Sequence, residues 1–242
     1  MTDPLDAAKA SAARHAVERY VRPGARLALG TGSTAEHAVR AIRAVFPTDT
    51  FDCVASSSAT ERLAASLGLA VRPLRGSDRF DLMIDGADEV APTLDLTKGG
   101  GGALLREKLL ARLAARLVIV VDDAKLVTSL GERAPIPVEV VPYCRPVLEL
   151  ELAASGYRVR LRSVPSGRPF LTENGNEILD LVPAAPLRRP AEAEADLRSK
   201  VGVVETGLFI GLAERAVVGS PDGTIRELVR AAPAGVVEPQ AR

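Results

Sequence analysis

The 242-residue chain has few of the residues that usually mark metal or redox chemistry. It contains two cysteines, two histidines and no tryptophan. Cys53 and Cys144 lie too far apart for a CxxC motif, and one pair without an export signal does not imply a disulfide. His15 and His37 have no cysteine or acidic neighbour at metal-ligand spacing. The composition therefore argues against a zinc site and against a Ser-His-Asp triad.

Net charge and long apolar runs are absent as well. The 31 basic residues balance 31 acidic ones, so no global field attracts nucleic acid. The longest aliphatic run, LVIVV at 117–121, is too short to span a bilayer. The first twenty residues carry acids where a signal peptide needs a basic region. We expect a cytoplasmic protein with no nucleic-acid or membrane partner.

The remaining composition is that of a globular protein with an aliphatic core, since 47% of residues are hydrophobic and only 3% aromatic. Short apolar runs alternate with helical patterns along the first half. Strands are predicted at 26–30, 51–56, 80–85 and 117–121, and helices at 34–45, 59–67 and 103–116. This alternation predicts an α/β fold with a mostly parallel, Rossmann-like sheet and helices on both faces. On the third helix, Leu105, Leu109 and Leu113 predict the buried stripe.

The residue composition and the pattern of apolar residues change near Gly131. A proline-studded strand, a helix and the half-exposed strand YRVRLR follow, and AEAEADLRSK predicts another helix. Asn174 and Gly175 stand between two alternating runs and predict a hairpin with positive φ at both residues. We therefore expect a small α+β domain at 132–206, inserted in a main α/β catalytic domain at 1–131 and 207–242. The tail from about Ala231 is expected to fray.

The segment LALGTGSTAEHAV, at 27–39, combines a strand, a glycine turn and a helix start. Its glycines let backbone approach an anion, and Ser33 and Thr34 are predicted to cap a helix whose free N–H groups favour phosphate. Gly30, Gly32 and Ala35 also match the dinucleotide fingerprint, which expects an acid at the end of the second strand. That strand ends in serines, so a phosphate ester is favoured over a nicotinamide cofactor. A turn that only caps a helix is the remaining alternative.

Two further segments place charged residues beside expected strand ends. In IDGADEV, Asp85 and Asp88 can exchange protons with sugar hydroxyls or hold a divalent metal. Glu89 and Asp95 are expected to take no part, with Glu89 facing solvent. In VVDDAKLV, Lys125 lies at the same edge, where it either holds an anion or belongs to a surface turn.

The segment KGGGGALLREK, at 98–108, places four glycines ahead of a helix. Such a run is tolerated where backbone must approach a ligand closely. The helical neighbours of Glu107 are apolar, and such surroundings raise the pKa of a carboxylate and make it a better base. The alternative is a solvated helix face formed by residues 106–108.

Eight segments in this order resemble the type A ribose-5-phosphate isomerase family: GTGSTA, SSSAT, IDGADEV, KGGGGALLREK, DDAKLV, PVEVVP, TENGNEILD and GVVETGLF. They run from residue 30 to about 209. The resemblance implies reversible interconversion of ribose 5-phosphate and ribulose 5-phosphate, without a metal or organic cofactor. It also implies a homo-oligomer, a dimer or a tetramer. The alternatives are another sugar-phosphate isomerase or deaminase, or a non-catalytic sugar-phosphate sensor, which would need a DNA-binding module.

The resemblance also implies roles for individual residues. Glu107 matches the proton-transferring base, which moves a proton between adjacent carbons through an enediolate. Lys98 and the glycine N–H groups suit the developing negative charge, and Asp85, with Asp88, suits ring opening. Where the family often has paired basic residues in its N-terminal helix, this chain has only Lys9. The implied substrate-binding residues are Thr31, Gly32, Ser33, Thr34, Asp85, Gly86, Ala87, Asp88, Lys98, Gly99, Gly100, Gly101 and Lys125.

Overall fold

The computed structural model describes residues 3–230. The frayed tail expected from Ala231 lies outside these residues. The helices are α1 (Pro4–Tyr20), α2 (Ser33–Val45), α3 (Ser58–Ser66), α4 (Leu104–Leu113), α5 (Arg145–Ala154) and α6 (Pro190–Ser199). The strands are β1 (Arg26–Leu29), β2 (Asp52–Ala55), β3 (Leu82–Asp85), β4 (Glu89–Val90), β5 (Leu96–Thr97), β6 (Leu117–Asp122), β7 (Ile136–Val140), β8 (Tyr157–Leu161), β9 (Glu177–Pro183), β10 (Val203–Thr206), β11 (Leu208–Phe209), β12 (Arg215–Gly219) and β13 (Ile225–Val229).

A six-stranded sheet in the order β13-β12-β6-β3-β1-β2 forms the centre of the molecule. All neighbours in it are parallel except β12 and β13. Successive side chains of a strand point to opposite faces, so Leu27 and Leu29 pack with α1, α2 and α3, whereas Ala28 packs in a second cluster with α4. Helices thus cover both faces, and the α/β fold class expected from the sequence is confirmed.

Small residues bring α1 close to its neighbours. Asp3 caps the helix through its side chain, which accepts a hydrogen bond from the Leu5 N–H, and Pro4 occupies the first turn. Ala12 and Ala16 are fully buried against α2 and the sheet. Because alanine adds little thickness, the helix lies close enough to the sheet to bring its Lys9 toward the ends of the strands.

Two smaller antiparallel sheets complete the fold. One has the order β10-β7-β9-β8 and packs with α5 and α6. Along β8, partly buried and exposed residues alternate, as the sequence predicts. The other sheet, β11-β5-β4, lies beside the central sheet. Within residues 3–230, no helix is long and apolar enough to cross a membrane.

The buried face of α4 differs from the predicted one. Leu109 is 44% exposed, whereas Leu104, Glu107, Lys108 and Ala111 are buried. The leucine stripe was therefore the wrong face. The burial of Glu107 agrees with the apolar surroundings expected for it, and the alternative of a solvated face fails for Glu107 and Lys108. Two charged side chains are turned inward because each has buried partners of opposite charge.

The hairpin predicted at Asn174 and Gly175 also differs. Positive φ occurs at Gly175 but not at Asn174, and the turn is closed by a hydrogen bond from the Thr172 N–H to the Asn176 carbonyl. Only the residues after the turn, in β9, form a strand. The buried Glu139 carboxylate replaces strand pairing here, since its Oε1 accepts hydrogen bonds from Thr172 Oγ1 and the Asn174 and Asn176 amides.

Candidate active site

A cleft lies at the carboxyl ends of β1, β3 and β6. From β1 the chain proceeds to β2 on one side, and β3 adds on the other side, so the sheet order reverses at this point. Ligands of open α/β sheets bind at such switch points. The residues lining the cleft are Lys9, Thr31, Gly32, Ser33, Thr34, Gly86, Ala87, Asp88, Lys98, Gly99, Gly100, Gly101, Glu107 and Lys125.

The N-terminus of α2 forms one wall. Gly32 is the N-cap, with φ of 96°, and no side chain caps the helix. Ser33 and Thr34 are therefore residues of the first turn, and the expectation that they cap α2 was wrong. Without a capping side chain, the N–H groups of this turn are open to a bound anion.

The backbone at Gly30 lies close to the carboxylate of Asp85. A Cβ atom at this position would lie 2.0 Å from Asp85 Oδ1. The same oxygen accepts hydrogen bonds from the N–H groups of Thr31 and Gly86, at 3.2 and 2.8 Å. The glycine at the end of β1 thus makes room for the carboxylate at the end of β3.

A buried lysine joins two carboxylates beneath the cleft. Lys98 Nζ lies 2.8 Å from Asp85 Oδ2 and 3.2 Å from Glu107 Oε2, and donates a hydrogen bond to the Gly86 carbonyl at 2.7 Å. All three charged side chains are less than 5% exposed. Glu107 and Lys98 line the cleft, whereas Asp85 lies below its surface. The structure brings the three predicted residues together, with Asp85 outside the set of residues that line the cleft.

Burial perturbs the proton affinities of this cluster. Loss of solvent raises the pKa of Glu107 to about 8, against the attraction of Lys98. Burial also raises the pKa of Asp85, although Lys98 and two N–H groups oppose the shift. Desolvation would lower the pKa of Lys98, but the two carboxylates outweigh it and the net shift is upward. The lysine therefore stays charged while Glu107 can gain or lose a proton near neutral pH.

The glycine loop, residues 99–102, forms the opposite wall. Gly99 and Gly102 have φ of 102° and 81°, which L side chains rarely adopt. The Gly100 N–H donates to Asp88 Oδ2 at 2.8 Å. Within residues 3–230, no group accepts a hydrogen bond from the Gly101 N–H. Asp88 and Gly101 both line the cleft.

Two lysines from outside the glycine loop complete the positive surface. Lys125, at the end of a short 3₁₀ turn after β6, lines the cleft as expected. Lys9 of α1 lines it too, and its Nζ lies 3.6 Å from Asp122 Oδ2. Its position near the start of the chain gives no local signal of a place in the cleft. The packing of α1 against β6 brings Lys9 to the cleft.

A second layer of residues was not predicted from the sequence. Lys108 Nζ lies 2.7 Å from Glu205 Oε1 and 3.0 Å from Glu194 Oε1, which connects α4 to β10 and α6. The buried Phe209 ring lies between the two lysines, 5.5 Å from Lys98 Nζ and 5.1 Å from Lys108 Nζ. Such contacts favour charged ammonium groups. Together they hold the face of α4 that presents Glu107.

Glu89 and Asp95 have structural roles. Glu89 is 1% exposed, so the expectation that it faces solvent was wrong. Its carboxylate accepts hydrogen bonds from the N–H groups of residues 131, 133 and 134 and from Thr97 Oγ1. Asp95 accepts from the Gly211 N–H and pairs with Arg230. Neither residue lines the cleft.

Asp52 is the acid nearest to the position at which a dinucleotide-binding fold holds the ribose, and it already pairs with an arginine. Both carboxylate oxygens of Asp52, at the start of β2, accept hydrogen bonds from Arg72, at 2.6 and 2.8 Å. This pairing disfavours the dinucleotide interpretation of the glycine turn. Among the residues that the structure describes, no group of three His, Cys, Asp or Glu side chains has a geometry suited to a metal ion.

Comparisons with known proteins agree with this geometry. Residues 52–223 match the family model described as ribose 5-phosphate isomerase A (phosphoriboisomerase A). The ribose-5-phosphate isomerase A of Deinococcus radiodurans is 44% identical over 232 residues, which are 93% of this chain and 99% of the relative. The solved ribose 5-phosphate isomerase of Plasmodium falciparum is 31% identical with a TM-score of 0.90, over 94% of this chain and 100% of that one.

A solved D-ribose-5-phosphate isomerase in complex with phospho-erythronic acid is also 31% identical, with a TM-score of 0.88, over 95% of this chain and 100% of that one. Sequence identity and coverage are both higher than a shared fold alone would give. The chain belongs to the ribose 5-phosphate isomerase A family.

Proposed function

We propose that the chain interconverts D-ribose 5-phosphate and D-ribulose 5-phosphate, with Glu107 as the base that moves the proton. The main support is the pairing of a cleft-lining carboxylate, whose pKa burial raises to about 8, with a charged lysine 3.2 Å away. Aldose–ketose isomerisation needs both: a base for the carbon-bound proton and a fixed positive charge for the enediolate oxygen.

The proton follows a short path in this proposal. Glu107 removes a proton from the carbon beside the carbonyl and returns it to the adjacent carbon. Lys98 and the Gly101 N–H stabilise the negative charge on the former carbonyl oxygen. Asp88, which is half-buried at the cleft, exchanges a proton with the ring oxygen or hydroxyl during ring opening. The place of Asp85 below the surface favours a role in holding Lys98 rather than the direct contact with hydroxyls that the sequence suggests.

The substrate phosphate is assigned to the wall formed by α2. Residues 32–34 offer the N–H groups of a helix N-terminus, and Thr31 lies beside them with its own N–H bonded to Asp85. Lys9 and Lys125 supply positive charge at the same cleft. The chain has no global field, so these local groups must bind the phosphate. No metal ion or organic cofactor has a part in this scheme.

An isomerase assay on the wild type and Glu107→Gln tests the function. Because the amide cannot accept the proton, turnover is expected to fall on the order of 10²–10⁴-fold while substrate still binds. Glu61→Gln, on the exposed surface of α3, is the matched control and should keep full activity. Wild type that binds ribose 5-phosphate without turnover would favour the sensor instead. Activity that a chelator abolishes and Mg²⁺ restores would reopen the metal alternative.

The proposal also covers the oligomeric state and the domain organisation of the chain. We propose a homo-oligomer located in the cytoplasm, with residues 132–206 as a small domain. Large apolar side chains at the surface, such as Tyr143 at 93% and Leu150 at 74% exposure, support self-association. Sedimentation equilibrium tests it, since a single species of 25.5 kDa at micromolar concentration would contradict an oligomer.

A further inference from the structure

Arg162 lies immediately after β8, behind the glycine loop. Its Nη1 donates hydrogen bonds to the carbonyls of Gly99 and Gly100, at 2.8 and 3.0 Å. The side chain is 15% exposed and does not line the cleft. It therefore contacts the loop from outside the cleft.

The guanidinium is itself held in a fixed orientation. Its Nε and Nη2 both donate to the Asp180 carboxylate of β9, which is 4% exposed. This two-bond pairing leaves Nη1 directed at the loop, a geometry that the planar guanidinium fork allows and a lysine does not.

The direction of these carbonyls fixes the direction of two N–H groups. In a planar trans peptide, the carbonyl of one residue and the N–H of the next point in opposite directions. Because the carbonyls of Gly99 and Gly100 point to Arg162, the N–H groups of Gly100 and Gly101 point away from it. The first of these donates to Asp88, and both residues line the cleft.

We propose that Arg162 is a positioning residue that directs the Gly100 and Gly101 amides at Asp88 and at the developing oxyanion of the substrate. The Gly99–Gly100 peptide has two other partners, since the Gly102 N–H donates to the Gly99 carbonyl and the Gly100 N–H donates to Asp88. Among the described residues, the Gly100–Gly101 peptide is held by Arg162 alone, and glycine has the fewest backbone restraints. The positive charge behind the carbonyls also increases the polarity of the same peptide units. Preorganised donors of this kind stabilise the transition state more than the bound substrate.

Kinetics of Arg162→Lys test the proposal. Lysine keeps the charge but cannot bond Asp180 twice and the two carbonyls as well. We expect kcat to fall about 10- to 100-fold with little change in KM, less than the loss on removing an oxyanion donor outright. With the terminal phosphates superposed, the carboxylate of the four-carbon phospho-erythronic acid falls at C2 of the pentose, where ribulose 5-phosphate has its carbonyl and the enediolate carries charge. Its inhibition constant is expected to rise by the factor by which kcat/KM falls.

Arg160→Lys is the matched control. Arg160 Nη2 lies 3.6 Å from Asp180 Oδ2, but the side chain is 76% exposed and makes no hydrogen bond to the glycine loop. Its kcat should stay within about twofold of wild type. Asp180→Asn provides a second variant, which releases the guanidinium without removing it and should lower kcat in the same direction.

Melting temperatures distinguish positioning from a structural role. An arginine that only stabilises the fold would lower Tm in Arg162→Lys and leave the kcat of the folded protein and inhibition by phospho-erythronic acid unchanged, which would overturn the proposal. An equal loss in Arg160→Lys would also overturn it. The inference rests on the proposed isomerase activity. Wild type without turnover contradicts that function, whereas an active wild type with an equally active Arg162→Lys contradicts only the role of Arg162.

Discussion

Glu107 combines a buried position with access to the cleft, and this combination has a measurable pH dependence. Burial raises its pKa to about 8, so below that pH the side chain is mainly protonated and cannot act as a base. We predict that kcat/KM rises about tenfold per pH unit toward pH 8 and then levels off. A profile measured from pH 6 to 9.5 checks this.

The second ionisation of a phosphate ester, near pH 6, lies about two units lower and is distinguishable. Lys98 does not titrate between pH 6 and 9.5, because its pKa is raised from an already high value, so it adds no change of slope to the profile. A kcat/KM that is constant between pH 6.5 and 9 would contradict the role of Glu107 as a base in a desolvated site.

Gly30 tests a different property, the space that one residue leaves for another. Its φ is not in the left-handed region, yet an added Cβ would lie 2.0 Å from Asp85 Oδ1. We predict that Gly30→Ala costs about 1–3 kcal/mol of unfolding free energy and most of the activity, because the carboxylate that holds Lys98 must move. Denaturant titration and the isomerase assay measure both effects.

Gly24→Ala separates this steric effect from backbone strain. Gly24 has φ of 75° and nothing within 4 Å of its added Cβ, so alanine there is strained but meets no neighbour. It should cost about 1–2 kcal/mol and leave kcat unchanged. If Gly30→Ala and Gly24→Ala lost activity equally, displacement of Asp85 could not be the cause of the loss in Gly30→Ala.

At the scale of elements, α4 shows where sequence patterns lose information. Leu105, Leu109 and Leu113 have helical spacing, but the inward face instead carries Leu104, Glu107 and Lys108. Hydrophobic periodicity assumes that charges face water, and it fails where long-range partners neutralise them. The clear case is Lys108, whose partner Glu205 lies 97 residues further along the chain, so no local pattern indicates its approach. Lys98, the partner of Glu107, belongs to the same sequence segment.

Adjacent leucines of α4 give a direct test of its orientation. Leu110 is 2% exposed in the core beside the central sheet, whereas Leu109 is 44% exposed. We predict that Leu110→Ala lowers the free energy of unfolding by about 2–5 kcal/mol and Leu109→Ala by less than about 1 kcal/mol. Urea titration measures both, and the reverse order would restore the leucine stripe as the buried face.

Strands and cleft residues were more accessible to sequence reasoning than helix faces. Apolar runs such as LVIVV became buried strands, and parallel strands gather their carboxyl ends at one edge, so motifs after β1, β3 and β6 could be placed together. Glu89, expected in solvent, is buried because distant backbone N–H groups surround it. Lys9 and Arg162 likewise owe their positions to pairing across the fold.

Across the whole molecule, one apolar core joins the two predicted domains. Leu130 and Leu208, outside or at the edge of residues 132–206, pack in the same buried cluster as Ile136, Val138 and Leu179. Glu173 of the turn before β9 also binds Ser58 of α3 and Arg106 of α4. Neither part can lose these contacts without exposing apolar surface of the other.

We therefore predict that residues 132–206 unfold together with the rest of the chain. The chain has no tryptophan, so one introduced residue is a unique fluorescent reporter. Tyr157→Trp reports on the sheet that contains β8, and Phe46→Trp on the core beneath α2. Because the shared core couples both regions, their urea transitions should coincide at each protein concentration tested. Separate midpoints would instead identify residues 132–206 as a unit that unfolds on its own.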